Sequence, residues 1–224
     1  MSSFGLYINF ISVYLILAWA IYFPFRAGQF FNGPVYSMAI GAYASAYLVR
    51  DLRWPFLVAL LAAVALGAMA GLLPALGFSR TRGVATAVGS MALIFIIQSV
   101  IRNLQFLGGS GGFFSIPKVS YLPYISVLLV LLVGLILYRC DHSRLGRTME
   151  AILVDPELPP SMGANTRNVH LFSITFSSTL GAVAGVIYAF TVRVLYPELF
   201  GFNLLLMASA MMFIGGRYTM WGCL

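Results

Sequence analysis

The sequence predicts an all-α protein, a polytopic transmembrane helical bundle of about seven spans. Of its 224 residues, 61% are hydrophobic and 8% are charged, whereas a soluble domain carries roughly 25% charged residues. Its apolar runs approach about 20 residues, which suits helices that cross a bilayer and exceeds the length of barrel strands. Residues 1–224 are therefore interpreted as one transmembrane domain, with no separate soluble domain.

The net charge of the chain is +7, with 13 basic residues against 6 acidic ones. Basic residues at the ends of spans follow the positive-inside bias and contact anionic headgroups, and this explanation is favoured over nucleic-acid binding. Membrane lipid is an expected partner and nucleic acid is not. The two cysteines, Cys140 and Cys223, lie in unrelated contexts and indicate neither a disulfide framework nor a metal site.

Each predicted span is an apolar stretch bounded by charged residues, proline or glycine. The first span lacks a basic n-region and is too long for a signal-peptide core, so we expect it to be retained. In the second, third and sixth spans, small residues such as those of Gly67-x-x-x-Gly71 and Gly181-x-x-x-Gly185 predict close helix packing. In chain order the spans are Phe4–Phe25, Val35–Val49, Trp54–Phe78, Val84–Leu107, Tyr124–Tyr138, Val169–Val192 and Phe202–Ile214.

The fourth span leads into a glycine-rich loop, Gly108–Gly112, with the sequence GGSGG. A phosphate-binding loop is not favoured, because the Gly-Lys-Ser/Thr ending and a preceding strand are both missing. A turn outside the cytoplasm is the simpler interpretation. The fifth span follows this loop and ends at a long polar interval, and the seventh runs into Gly215-Gly216.

The longest polar interval, Arg139–Asn168, joins the fifth and sixth spans. Within it, Leu145, Met149 and Ile152 recur at positions i, i+4 and i+7, which predicts a short amphipathic helix. A loop with helices of its own between two spans is suited to being held by a partner outside the membrane.

A second short helix is expected to follow in the same loop. Asp155 before Pro156 is an N-cap residue before a proline at the first helical position, and acidic residues stabilise a helix N-terminus. A glycine can end this helix, and an apolar pair at i and i+4 suits the cleft of a partner. The residues expected to couple the loop to that partner are Asp155, Glu157, Leu158, Met162 and Gly163.

The distribution of charge predicts the orientation. If Arg139–Asn168 is cytoplasmic, eight arginines lie inside and five basic residues lie outside or close to the outer face, which agrees with the positive-inside bias. The inside arginines are then Arg26, Arg80, Arg82, Arg139, Arg144, Arg147, Arg167 and Arg217, and the outer basic residues are Arg50, Arg53, Arg102, Lys118 and Arg193.

Two sets of polar residues within spans are candidates for lining a path. Gln98, Arg102 and Gln105 recur at i, i+4 and i+7 and would share one face of the fourth helix. Either Arg102 extends to the headgroups while the glutamines bond to neighbouring helices, or the three form a polar outer mouth where Arg102 attracts a carboxylate. Ser173 and Ser177 in the sixth span either pack helices together or line the same path.

No residue pattern indicates catalysis or metal binding. Cys140, Asp141 and His142 are adjacent and point in different directions, and no second cluster completes a metal shell, so Asp141 and His142 are interpreted as a solvated helix end. No acidic residue lies inside a span, although proton relays of transporters usually use buried Asp, Glu or His. We expect the chain to bind no cofactor, to provide a path, and to rely on a partner for energy.

Four stretches of the chain resemble the permease subunits of bacterial branched-chain amino-acid ABC importers, of the LivM and LivH type. The first is the segment AGQFFNGPVYSMAIGAYASAYL, and the second is an Arg-Gly entry followed by a span and a Gly-Gly-Ser loop. The third is the SRLGRTMEAI region with the Ala-Gly-rich span after it, and the fourth is the closing YPELFGF and IGGRYTMWG. In order, these stretches are Ala27–Leu48, Thr81–Pro117, Ser143–Ile152 with Ser161–Ala189, and Tyr196–Phe202 with Ile214–Gly222.

The resemblance implies that Asp155–Gly163 is a cytoplasmic coupling helix that docks into an ATPase subunit. It also implies two ATPase subunits that use ATP, a second permease subunit, an extracytoplasmic solute-binding protein and a place in the bacterial inner membrane. Two features depart from the family. Pro159-Pro160 stands where small helix formers are usual, and such permeases continue past the Trp-Gly, so the chain is expected to be C-terminally short.

Three other functions remain compatible with the sequence. The same machinery could transport urea, amides or another small solute, because selectivity would reside largely in the binding protein. The double proline and the early end of the chain also fit a non-transporting membrane scaffold derived from a permease. An intramembrane enzyme is the least favoured, because no activated nucleophile with a base can be identified.

Overall fold

The computed structural model describes residues 3–79, 81, 83–155 and 165–215. Over these ranges the chain is almost entirely helical, and the only strand-like pairing there is a single bridge between Phe113 and Leu195. The all-α prediction is therefore confirmed. The described α-helices are α1 (Ser3–Arg26), α2 (Pro34–Arg50), α3 (Phe56–Phe78), α4 (Val84–Asn103), α5 (Leu122–Asp141), α6 (Arg144–Val154), α7 (Thr166–Val192) and α8 (Phe202–Gly215).

The predicted spans correspond to α1 to α5, α7 and α8, and the predicted loop helix corresponds to α6. Six described helical segments are long and apolar enough to cross a membrane, and α2, with 17 residues, is shorter than these. The largest error in the predicted bounds is in the fourth span, which was expected to reach Leu107 but ends at Asn103. The end is sharp because Leu104 adopts an extended conformation and its N–H bonds back to Ile101.

Helix α7 forms the centre of the bundle. In its most apolar window 72% of the residues are buried, against 22% for α5, and it packs against α1, α2 and α3. An amphipathic surface helix would present one apolar stripe to the core. Helix α7 instead is covered on several sides, so its small residues decide how closely the other helices approach.

The predicted small-residue contacts are present, and α7 takes part in all of them. A methyl group added at Gly185 would collide with the carbonyl oxygen of Met38 in α2. In α3, a methyl group added at Gly71 would collide with the side chain of Ser178 in α7, and Gly67 lies against the same helix. Glycine is needed at these positions because the neighbouring helix comes too close to leave room for a side chain.

The outward faces of α3, α4 and α5 are apolar and exposed. They form a surface suited to lipid acyl chains, since charged and hydrogen-bonding groups are expensive at this depth. The large exposed side chains include Leu61, Leu73, Val88, Phe95, Leu128, Leu131 and Leu135.

Most of the connection between α1 and α2, residues 27–33, is buried, and Gly28 and Phe30 are its exposed residues. Gln29 is fully buried, and its side-chain amide donates a hydrogen bond to the carbonyl oxygen of Phe78 at 3.2 Å. The backbone N–H of Asn32 donates to the hydroxyl of Ser90 in α4 at 3.0 Å. These bonds satisfy polar groups that have no access to water.

The bundle has two distinct polar ends. The loop end contains the C-terminus of α1, the C-terminus of α5 and helix α6, which contact one another. The mouth end contains the C-terminus of α4, the turns Gln105–Leu107 and Gly109–Gly111, and the 3-10 turn Pro197–Phe200. Each end gathers residues from distant parts of the chain, and most of the candidate functional residues that the structure describes lie at these two ends.

Candidate functional site

At the loop end, helix α6 follows α5 after a short break. The Ser143 hydroxyl accepts a hydrogen bond from the N–H of Leu145 at 3.1 Å and so caps the new helix. Met149 and Ile152 are buried against the bundle, which confirms the predicted amphipathic helix, while Leu145 is 39% exposed. The helix therefore packs on the bundle through Met149 and Ile152.

The sequence did not indicate that Arg26 would join three helices at this end. Its guanidinium forms an ion pair with Asp141 at the end of α5, and Glu150 of α6 lies 3.5 Å from it. The side chains of Arg26 and Asp141 are only 14% and 12% exposed. The expectation that Asp141 is a solvated helix end is therefore wrong, because its carboxylate is used to neutralise a shielded arginine.

Two glycines allow α6 to lie this close to the bundle. A methyl group added at Gly146 would collide with the backbone carbonyl of Asp141, so the tight step from α5 into α6 needs glycine. Gly28 has a φ of +73° and lies against Ile152, so it lets the chain turn under α6. Both glycines position the loop helix, and neither was identified from the sequence.

The predicted coupling segment begins where α6 ends. Asp155 follows the last helical residue in an extended conformation, and Val154 before it is 79% exposed. The other residues assigned to coupling lie outside the described residues. They are Glu157, Leu158, Met162 and Gly163, together with the departure from the family pattern at Pro159-Pro160.

At the mouth end, the polar residues of α4 bind the 3-10 turn Pro197–Phe200. The side-chain amide of Gln98 donates to the carbonyl oxygen of Pro197 at 3.0 Å. Arg102, one turn further along, forms an ion pair with Glu198 at 3.0 Å, and both side chains of this pair are about half exposed. Gln98 and Arg102 therefore lie on the same face of α4, and both bind the turn Pro197–Phe200.

Gln105 does not belong to this face, contrary to the prediction. Helix α4 has ended by Asn103, whose side chain donates to the carbonyl oxygen of Ser99 at 2.8 Å. Gln105 instead begins a 3-10 turn and is exposed. The helical spacing assumed for the three residues fails because the chain turns before the third of them is reached.

Ser177, one of the two serines assigned to path lining, lies in the contact between α7 and α1. The hydroxyl of Ser177 donates to the backbone carbonyl of Ala20 at 2.6 Å. Ser173 is fully buried, and no described residue bonds to its hydroxyl. This geometry favours helix packing, and path lining by these serines stays a prediction.

The glycine-rich loop forms part of the mouth end. Phe113 pairs through its backbone with Leu195, and the guanidinium of Arg50 lies 3.8 Å from the centre of the Phe113 ring. Arg50 also donates to the carbonyl oxygen of Phe114 at 2.9 Å. Gly112 has a φ of +91° and faces the ring of Tyr196, which leaves no room for a side chain. The loop thus ties α2 to the chain that follows α7.

Within the described ranges no three His, Cys, Asp or Glu residues are grouped so that they could hold a metal ion. The loop end presents a helix held by charge and apolar contacts, and the mouth end presents an ion pair open to solvent. Such an arrangement can bind partners or polar solutes.

Comparison with known proteins bears on what these two ends do. The family model for the branched-chain amino acid transport system / permease component matches residues 4–224, which is nearly the whole chain. Comparison with curated proteins and with solved structures gave no match.

Proposed function

Because the chain belongs to the family of permease components of branched-chain amino acid transport systems, we propose that it is a membrane-spanning subunit of an ATP-driven importer. It forms the translocation path, together with a second permease subunit, for branched-chain or similar amino acids. Two ATPase subunits supply energy, a solute-binding protein delivers the substrate, and the complex lies in a bacterial cell membrane. The observation that carries the proposal is the family match over residues 4–224.

The positions of the acidic residues support an external source of energy. All five that the structure describes lie outside the interiors of the long helices. A transporter driven by protons through a carboxylate would hold that carboxylate within the bundle. The buried His170 lies near the start of α7, next to the loop. The five described acidic residues are Asp51, Asp141, Glu150, Asp155 and Glu198.

Coupling to the ATPase is proposed to run through the loop 139–168. Its described half supports this role, because α6 is attached to α1 and α5 through Arg26 and so can pass a displacement to two spans at once. The exposed Val154 leads directly to Asp155 and into the proposed coupling helix. We propose that Leu158 and Met162 of that helix enter a cleft of the ATPase.

The test of coupling replaces both Leu158 and Met162 with Asp and measures recovery of the ATPase with the purified permease. We expect the ATPase to be lost while the permease stays in the membrane, because no residue of a span changes. The matched control places two Asp residues in the opposite loop, at Ser115 and Lys118, both exposed. Equal recovery from the double Asp variant and the parent would exclude this segment as the coupling helix.

The test of transport measures uptake of L-leucine by vesicles that carry the assembled complex in their membrane, with the binding protein outside and ATP inside. Uptake that depends on ATP and on this chain supports the proposal. Uptake of urea or amides, with no uptake of leucine, would show that the complex transports another solute. Assembly without uptake of either solute class would favour a scaffold.

A further inference from the structure

The exposed face of α5 is apolar along its length and becomes basic at the loop end. Three leucines at positions i, i+4 and i+7 share one face of the helix with Arg139 at i+11. The leucines are Leu128, Leu132 and Leu135, which are 62%, 49% and 63% exposed. Arg139 is exposed, and so is the ring of Tyr138 beside it. An apolar face that ends in an aromatic ring and a cation is typical of the level at which acyl chains meet lipid headgroups.

Helix α6 brings two more arginines to the same corner of the bundle. Arg144 is its first residue, Arg147 lies about one turn further on, and both are exposed. Gly146, between them, lies against the backbone carbonyl of Asp141 at the end of α5. The first turn of α6 therefore packs on the last turn of α5, which contains Arg139. We call Arg139, Arg144 and Arg147 the corner arginines.

The carboxylates near this corner are already used. Asp141 and Glu150 both form ion pairs with Arg26. Among the residues that the structure describes, no carboxylate forms an ion pair with a corner arginine. Cations gathered on two adjoining helix turns repel one another, and an anion that binds them together removes this repulsion.

We propose that the corner arginines bind the headgroup phosphate of an anionic phospholipid, whose acyl chains lie along the leucine face of α5. A guanidinium matches the geometry of a phosphate, and basic clusters at this level of a membrane attract anionic lipids. A lipid is favoured over an acidic protein surface because the arginines continue an apolar face that a partner outside the membrane cannot cover.

This site is more specific than the general attraction of basic span ends to headgroups, because it needs arginines from both α5 and α6. Lipid binding goes beyond the proposed function. One consequence rests on that function: a headgroup bound to both helices holds α6 in place, and the proposed coupling runs through α6.

The test measures the affinity of the full chain, purified in detergent, for phosphatidylglycerol without ATP or solute. Lipid that binds the folded chain stabilises it by an amount set by 1 + [L]/Kd, so melting temperatures along a titration give an apparent Kd. We expect phosphatidylglycerol to bind at least about tenfold more tightly than phosphatidylcholine, and high salt to reduce this difference. Inorganic phosphate at the same ionic strength should not displace the lipid, because it has no acyl chain for the leucine face.

Single variants test the contribution of each helix. One cation near anionic lipid contributes about fivefold to affinity, so Arg139→Gln in α5 and Arg144→Gln in α6 should each raise the Kd about fivefold. The double variant should raise it at least about twentyfold. Arg147→Gln should also raise the Kd about fivefold, so the test does not depend on the folding of one variant.

The matched control removes two exposed cations of the mouth end, with Arg53→Gln and Lys118→Gln in one chain. It should change the Kd less than about twofold, because these residues lie away from the corner. An equal rise in the Kd of this control and of the corner double variant would overturn the site, since any surface cation would then serve.

Two further results would contradict the lipid site. Equal affinity of the parent for phosphatidylglycerol and phosphatidylcholine would exclude it. Corner variants that keep their affinity for phosphatidylglycerol but lose the ATPase would show that the arginines bind an acidic surface of that partner. None of these measurements needs transport, so a failure of leucine uptake would contradict the proposed function and leave the lipid site standing.

Discussion

Arg26 is the residue on which the loop end depends. It lies at the end of α1, and its charge is shared between Asp141, the last residue of α5, and Glu150 of α6. Removing one partner of a buried ion pair costs about 3–5 kcal/mol, and the remaining exposure lowers the expectation here to roughly 2 kcal/mol. We therefore expect Arg26→Ala to lower the apparent melting temperature of the complex in detergent and to weaken recovery of the ATPase.

A matched control separates the two partners of Arg26. Glu150 is 65% exposed and lies 3.5 Å from the guanidinium, so its pair is worth less than about 1 kcal/mol. Glu150→Gln should leave the melting temperature close to that of the parent. The exchange Arg26→Asp with Asp141→Arg should restore part of the stability lost in either single variant. If Glu150→Gln were as damaging as Arg26→Ala, the pair with Asp141 would not be the important one.

The importance of Arg26 and Gln29 could not have been derived from the sequence. Arg26 was identified as an inside charge, but its partner Asp141 lies 115 positions later in the chain, and no local period connects the two. Gln29 lies between two predicted spans and was not identified as a buried residue. Its burial depends on Phe78 and Ser90 of other helices. Contacts of this kind are decided by tertiary packing alone.

At the scale of elements, a single substitution can test the close contact of α2 with α7. Gly185→Ala would bring a methyl group against the backbone carbonyl of Met38, and backbone cannot move aside easily. Overpacking of this kind typically costs about 1–3 kcal/mol. We expect the variant to melt at a lower temperature in detergent than the parent.

The control for this contact is Gly77→Ala in α3. No atom lies within 4 Å of the added methyl group, and alanine is favoured over glycine in a helix by up to about 1 kcal/mol. This variant should melt at the same temperature as the parent or slightly higher. Equal losses in both variants would show that glycine is needed for helix flexibility and that the contact with Met38 is not the cause.

The helices themselves were predictable, and their ends were less so. Apolar length identified α1 to α5, α7 and α8, and helical spacing identified α6, because both signals are local. Helix α4 ended early because the chain must turn so that Phe113 can reach Leu195, a contact with a segment about 80 residues away. That turn removed Gln105 from the predicted polar face and left Gln98 and Arg102 on it.

At the scale of the whole molecule, the two polar ends differ in what they offer a partner. The loop end carries a helix clamped to two spans, whereas the mouth end carries an exposed ion pair. In an importer, energy enters from the cytoplasm and substrate enters from outside. The proposed function therefore requires the loop end to be cytoplasmic, in agreement with the charge bias of eight basic residues against five.

Orientation is testable with two single cysteines, one at each end, in a chain whose Cys140 and Cys223 are replaced by Ser. Lys118→Cys, exposed at the mouth end, should react in intact cells with a thiol reagent that cannot cross the membrane. Thr148→Cys on α6 should react only after the membrane is permeabilised, because the positive-inside bias places α6 in the cytoplasm. Neither position contacts the Arg26 or Arg102 ion pairs, so both variants should retain transport and report on a working complex. The reverse pattern would put the loop end outside, where no ATPase could reach it, and would contradict the proposed route of coupling.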